Sequence, residues 1–107
     1  MKKLITILII LLSMTLSAED KKVFWIDVRS QQEFDAGHLK EAILIPYQKI
    51  SKEIAKVTKD KNADIRVYCK VGGRAGIAKK SLEKMGYKNV TNEGGYEEIM
   101  QKRKKMK

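Results

Sequence analysis

Short apolar runs alternate with amphipathic segments along most of the chain. Four runs suit buried strands, over residues 23–28, 42–45, 65–68 and 89–91. Between and after them, helices are predicted over residues 31–36, around 50–57, from Arg74 or Ala75 to Met85, and beyond the Gly94-Gly95 turn. Strands that alternate with helices predict an α/β domain with a mainly parallel central sheet flanked by helices.

Local signals support these elements. Ser30 with Glu33 three residues later forms the pattern of a capping box at the start of the first helix, and Gly37 ends that helix. Ile50, Ile54 and Val57 recur at helical spacing in a lysine-rich segment, which indicates an amphipathic helix. The final helix is predicted to fray into a basic tail over residues 102–107, solvated and disordered because its charges repel.

The first 18 residues have the layout of a secretory signal peptide. Lys2 and Lys3 precede an apolar run over residues 4–12, and small residues follow. That run is shorter than the about 20 residues of a membrane span, although a retained anchor is the alternative. Cleavage after Ser17 and cleavage after Ala18 both fit. We therefore expect a periplasmic protein with one domain over residues 19–107.

The mature chain is strongly basic. Removing the two lysines of the signal lowers the formal net charge from +10 to +8. This charge favours anionic partners, and export makes nucleic acid the least expected of them, so none is predicted. Weak contact of the basic tail with anionic membrane headgroups is a further expectation. The chain has one cysteine and cannot form an internal disulfide, so this thiol is either buried and inert or kept for use.

That cysteine, Cys69, lies where the third predicted strand enters a helix, in the segment YCKVGGRAG. Such a junction is the usual ligand site of an α/β sheet. Gly72 and Gly73 allow the backbone to curl and to point several N–H groups inward. The start of the helix, Lys70 and Arg74 add positive charge, which favours an anion and the nucleophilic thiolate.

The same segment resembles the active-site loop of the rhodanese domains, the single-domain sulfurtransferases, whose pattern is Cys-x-x-Gly-x-Arg. The stretches IDVRSQQEFDAGHLKEAILIP (26–46) and GYKNVTNEGGYEEI (86–99) resemble other blocks of that family, in the expected order. Dual-specificity phosphatases and arsenate reductases of similar fold carry Cys-x5-Arg instead. The shorter spacing from Cys69 to Arg74 and the Tyr68 in place of a histidine make the phosphatase the weaker interpretation.

The resemblance implies a catalytic Cys69 that takes a sulfur atom from thiosulfate or a similar anionic donor and passes it to cyanide or a thiol. Asp27 and Arg29 would then form an ion pair or support the loop. Arg74 would either hold the sulfonate end of the donor, with Lys70, or pair with a carboxylate as a brace. The residues implied to bind the substrate are Lys70, Val71, Gly72, Gly73, Arg74 and Ala75.

The chain departs from the family pattern at two positions, of which Ala75 favours a second function and Ile99 is a change in packing. Ala75 stands where a hydroxyl residue often follows the loop arginine, and Ile99 stands where a tryptophan is common. A weakly catalytic sulfur carrier or binding module of the same fold is therefore the alternative. The only histidine, His38, is expected to be structural, and neither a metal nor a cofactor is predicted. The sequence does not indicate the natural donor, the acceptor or the oligomeric state.

Overall fold

The computed structural model describes residues 22–107, so the predicted signal peptide lies outside the described part of the chain. The strands are β1 (Val23–Asp27), β2 (Ile43–Leu44), β3 (Asp64–Cys69) and β4 (Val90–Gly95). The helices are α1 (Gln31–Ala36), α2 (Ile50–Val57), α3 (Gly73–Lys84) and α4 (Tyr96–Lys105), and a 3₁₀ turn over Tyr47–Lys49 precedes α2. Within residues 22–107, no helix has the length and apolar character needed to cross a membrane.

The four strands form one parallel sheet in the order β2-β1-β3-β4. The prediction of an α/β domain with a mainly parallel sheet is therefore confirmed. The central pair, β1 and β3, runs in register from Val23 opposite Asp64 to Asp27 opposite Tyr68. Their carboxyl ends, which carry Asp27 and Cys69, consequently lie at the same edge of the sheet.

Helices cover both faces of the sheet, because the strands are apolar on both sides. On one face, α2 and α3 pack on alternate residues of β1 and β3, including Ile26, Ile65 and Val67. On the other face, a smaller cluster of Leu39, Tyr68 and Ile99 lies under α4. Cys69 belongs to the first cluster, so its side chain lies on the α3 side of the sheet.

The carboxyl-terminal helix corrects one prediction. It continues through the basic tail as far as Lys105 instead of fraying there. Arg103 donates to both carboxylate oxygens of Glu41, at 3.2 and 3.0 Å, and its guanidinium lies 5.2 Å from the Trp25 ring centroid. The basic side chains at this end also oppose the negative end of the helix dipole. These interactions offset the repulsion between like charges.

β4 also differs from the sequence prediction, and the difference reaches the site. The strand extends to Gly95, so the two glycines predicted as a turn belong to its last residues. Val67 pairs with Asn92, but Cys69 pairs with Gly95, so β4 carries one extra residue opposite Tyr68. This bulge brings Gly95 beside the end of β3.

Candidate active site

The candidate site is the loop between β3 and α3. β3 ends at Cys69 in the middle of the sheet, and α3 begins at Gly73, close to the expected Arg74 or Ala75. The loop therefore lies at the carboxyl edge of a parallel sheet and at the amino end of a twelve-residue helix. Both features favour an anion there, because several backbone N–H groups are free of helical partners.

The sulfur of Cys69 is the centre of this loop. The N–H of Gly72 donates to Sγ at 2.9 Å and the N–H of Ala75 does so at 3.4 Å. Cys69 is only 1% exposed, so the loop closes around the thiol. Two backbone donors aimed at one sulfur stabilise negative charge on it. The geometry therefore suits a thiolate.

Gly72 is the residue that allows this turn. Its φ of +105° lies in the region that residues with a Cβ rarely adopt. Its carbonyl accepts a hydrogen bond from the Asn92 side-chain amide at 3.0 Å, which ties the loop to β4. The backbone at this point is thus fixed both by the glycine and by the neighbouring strand.

Arg74 forms an ion pair across the mouth of the loop. Its two terminal nitrogens donate to the two carboxylate oxygens of Glu33 at 2.7 and 3.0 Å. Of the two roles that the resemblance implies for Arg74, this ion pair corresponds to the structural one, in which Arg74 pairs with a carboxylate and braces the loop. The hydrogen bonds from Arg74 lower the pKa of Glu33 to about 2, with Ser30 contributing through the capping box. The pair joins α1, which carries Glu33, to α3.

This pair makes stability depend on pH. A carboxyl whose pKa is depressed by folding stabilises the protein above its unfolded pKa, and that contribution disappears as the pH falls. Lowering the pH from about 4.5 to about 2 should therefore cost about 1–2 kcal/mol through Glu33, allowing for partial solvent screening. Urea unfolding of wild type and Glu33→Gln at several pH values measures it. Equal pH dependence of the two proteins in this window would contradict the assignment.

A second, buried ion pair lies behind the loop. Asp27 is fully buried and Arg29 is 6% exposed. Nε and Nη2 of Arg29 donate to the Asp27 carboxylate at 2.8–3.1 Å, and Nη2 also donates to the Gly37 carbonyl at 2.7 Å. The guanidinium lies 4.7 Å from the Tyr96 ring centroid and 5.7 Å from that of Tyr68. The pair thus links the end of β1 to the Gly37 turn and to Tyr96, the first residue of α4.

Tyr68 contributes to the same buried polar group. Its hydroxyl accepts the backbone N–H of Leu39 at 3.2 Å. Burial raises the pKa of Tyr68 well above its usual value, so the phenol stays protonated. A protonated phenol keeps its hydrogen-bond donor and places no second negative charge beside the Asp27 carboxylate.

The remaining predicted residues lie on the outside of the loop. Lys70 is exposed, and Val71 is 80% exposed. A cavity of about 240 Å³ opens beside Lys70 and is also lined by Arg29, Glu33 and Tyr96. Cys69 itself does not line this cavity.

His38 is held in a packing role. Its ring stacks on Phe34 with centroids 3.6 Å apart, and Nδ1 lies 2.7 Å from the Leu39 carbonyl oxygen. Among residues 22–107, no group of three or more His, Cys, Asp or Glu side chains could hold a metal ion.

Sequence reasoning missed three residues that shape the site. The sequence predicts Glu33 only as a helix-capping residue and Gly95 only as part of a turn, and it assigns no role to Asn92. None of these three residues carries a local signal of its role, because each contacts residues that are distant in the chain.

The fold and the site together define a parallel α/β domain whose single thiol lies in a loop that directs backbone N–H groups at the sulfur. The chain belongs to the rhodanese-like domain family, whose model matches residues 14–102. It is 41% identical over 75 residues to thiosulfate sulfurtransferase PspE of Escherichia coli, covering 70% of this chain and 72% of that protein. A solved structure of a rhodanese with anions from E. coli superposes with a TM-score of 0.69 at 39% identity, covering 71% of this chain and 89% of that one.

Other relatives are larger proteins with other names. The tRNA uridine(34) hydroxylase of Sodalis glossinidius is 32% identical over 83 residues, which are 73% of this chain but only 24% of that enzyme. The similarity to PspE supports sulfur transfer of the rhodanese type.

Proposed function

We propose that the protein is a thiosulfate sulfurtransferase that carries sulfur as a persulfide on Cys69. The observation that carries this proposal is the pair of backbone N–H groups, of Gly72 and Ala75, that converge on Sγ. They stabilise the Cys69 thiolate before the reaction, and they would stabilise the negative charge of the persulfide after it. The similarity to PspE, which is named for this reaction, supports the choice of donor.

The reaction proceeds in two displacements. The Cys69 thiolate attacks the outer sulfur of thiosulfate, the bond between the two sulfur atoms of thiosulfate breaks, and sulfite leaves with the bonding electron pair. The product is a persulfide anion on Cys69. Cyanide or a thiolate then attacks the outer sulfur, the persulfide bond breaks, and the Cys69 thiolate is regenerated.

Each part of the loop has a role in this scheme. Backbone N–H groups of residues 70–75 surround the persulfide anion, as an oxyanion hole surrounds oxygen. Lys70 attracts the sulfonate end of the donor from the adjoining cavity, since Arg74 is already paired with Glu33. Burial of Cys69 restricts access to slender groups such as a terminal sulfur atom. Because the signal segment predicts export, we propose that the reaction occurs in the periplasm.

Mass spectrometry of the purified protein tests the proposal. Wild type treated with thiosulfate should gain the mass of one sulfur atom, lose it again on addition of cyanide, and release thiocyanate. Cys69→Ala, treated in the same way, should gain nothing, which locates the sulfur. If wild type with a demonstrably reduced Cys69 gains no sulfur, thiosulfate is not the donor.

A sulfur carrier is the second candidate, and one observation favours it. The Arg74 guanidinium, which could otherwise bind a sulfonate, is occupied by Glu33, and Ala75 offers no hydroxyl. A carrier would accept sulfur from a partner protein and deliver it without turning over free thiosulfate. Steady-state turnover distinguishes the two functions.

A further inference from the structure

The helices α2 and α3 turn a common surface to solvent. They lie side by side on the same face of the sheet, and each buries one side against it. The buried residues are Ile50 and Ile54 in α2, and Ala75, Ala78 and Leu82 in α3. Because successive residues of an α-helix are rotated by about 100°, the side opposite to these residues points away from the sheet.

The outer side of both helices is positively charged. Four lysines, all exposed and four residues apart within each helix, lie there: Lys52, Lys56, Lys80 and Lys84. The acidic residues of these two helices, Glu53 and Glu83, lie toward the flanks, so no carboxylate interrupts the outer rows. Lys56 lies 4.0 Å from Glu53, and within residues 22–107 the other three lysines form no ion pair.

One apolar side chain lies in the α3 row. Ile77, three residues before Lys80, is 51% exposed. A row that combines ammonium groups with an apolar side chain suits the surface of a phospholipid bilayer, where the former contact phosphates and the latter contacts the acyl chains. The same row begins at Gly73, which joins the active-site loop to α3. A membrane that lies along this row would therefore border the loop.

The basic tail belongs to a different surface. α4 packs on the opposite face of the sheet through Ile99, so a membrane that lies along α2 and α3 faces away from α4. The first turn of α4 also carries Glu97 and Glu98, which are exposed and would be repelled by anionic headgroups. Of the two basic surfaces, the one on α2 and α3 is therefore the better match for an anionic membrane.

We propose that the surface formed by Lys52, Lys56, Ile77, Lys80 and Lys84 binds a membrane that contains anionic phospholipids. Each lysine beside such a membrane strengthens binding by about fivefold. The attraction is screened by salt, because the Debye length falls from about 10 Å at 0.1 M to about 3 Å at 1 M ionic strength. The chain would then place its active-site loop next to the lipid surface instead of diffusing freely.

Co-sedimentation of the purified mature protein with vesicles tests the proposal. At about 0.1 M salt, wild type should bind vesicles of phosphatidylglycerol and phosphatidylcholine in equal parts, and about 1 M salt should release it. Vesicles of phosphatidylcholine alone should not bind it. The double variant Lys80→Gln/Lys84→Gln should bind the anionic vesicles about 25-fold more weakly, because two lysines that contribute about fivefold each are lost.

Two further double variants complete the design. Lys52→Gln/Lys56→Gln, on the neighbouring helix, should weaken binding to a similar extent, since the proposed surface includes both helices. Lys104→Gln/Lys105→Gln, in the tail, changes the net charge by the same amount but should bind within about threefold of wild type, because only charges near the membrane contribute fully. Circular dichroism checks that all three variants keep the fold.

Four results would overturn the proposal. Wild type could fail to bind the anionic vesicles, or Lys52→Gln/Lys56→Gln could bind as wild type does. An equal or larger loss in the tail variant would show that net charge or the tail, and not the proposed surface, causes binding. Binding of wild type to polyglutamate but not to the vesicles would indicate an acidic protein as the partner.

Discussion

Replacing Asp27 by alanine should destabilise the domain by about 3–5 kcal/mol, a large part of the about 5–15 kcal/mol typical of a small protein. The carboxylate is fully buried and accepts three hydrogen-bond contacts from the Arg29 side chain as well as the Arg29 backbone N–H. Its removal leaves a buried guanidinium without a counter-charge. Urea unfolding followed by circular dichroism measures the loss.

The chain contains a matched control for this prediction. Asp64 and Arg66 have the same spacing in β3 as Asp27 and Arg29, and their side chains pair at 3.2 Å while remaining 36% and 38% exposed. Exposed ion pairs contribute about 0–1 kcal/mol. The free energy of unfolding of Asp64→Ala should therefore lie within about 1 kcal/mol of the wild-type value. Comparable losses in the two variants would show that burial is not the cause.

Replacing Cys69 by serine should lower the turnover of thiosulfate by about 10⁴-fold or more, the scale on which loss of a nucleophile acts in covalent catalysis. The serine hydroxyl is almost the same size and can accept the same N–H groups from Gly72 and Ala75, so the fold should be retained. Serine is not ionised near neutral pH, and no persulfide can form on it. Thiocyanate release under steady-state conditions, with thermal melting as the test of folding, measures the effect.

The same assay separates an enzyme from a carrier. Wild type acting as an enzyme should release many equivalents of thiocyanate per chain from free thiosulfate, whereas a carrier that only a partner protein can load should release none. Activity in Cys69→Ser above about 1% of wild type would contradict the role of the thiol altogether.

The elements and the position of the thiol could be predicted from the sequence because their signals are local. The capping box of Ser30 and Glu33 depends on residues three apart, and the structure shows both of its hydrogen bonds. The pairing of Glu33 with Arg74 joins residues 41 apart and depends on how α1 and α3 approach the loop. Spacing along the chain carries no information on that approach.

The final helix shows the same limit. A run of like charges predicts that the helix frays, but the helix continues to Lys105. Glu41 and Trp25, which contact Arg103 and help to keep the segment helical, are distant in sequence. Tertiary contacts thus decided where the helix ends.

The bulge in β4 also limits how the length of the chain can change. Surface loops usually tolerate insertions and deletions, because few contacts depend on their length. In β4, three residue steps from Asn92 to Gly95 lie opposite two steps from Val67 to Cys69, so deleting one residue between Asn92 and Gly95 would remove the bulge and the local bend of the strand beside the loop. A site built on a loop therefore depends on the residue count of the neighbouring strand as well, because the bulge in β4 sets where Gly95 and the start of α4 lie beside the end of β3.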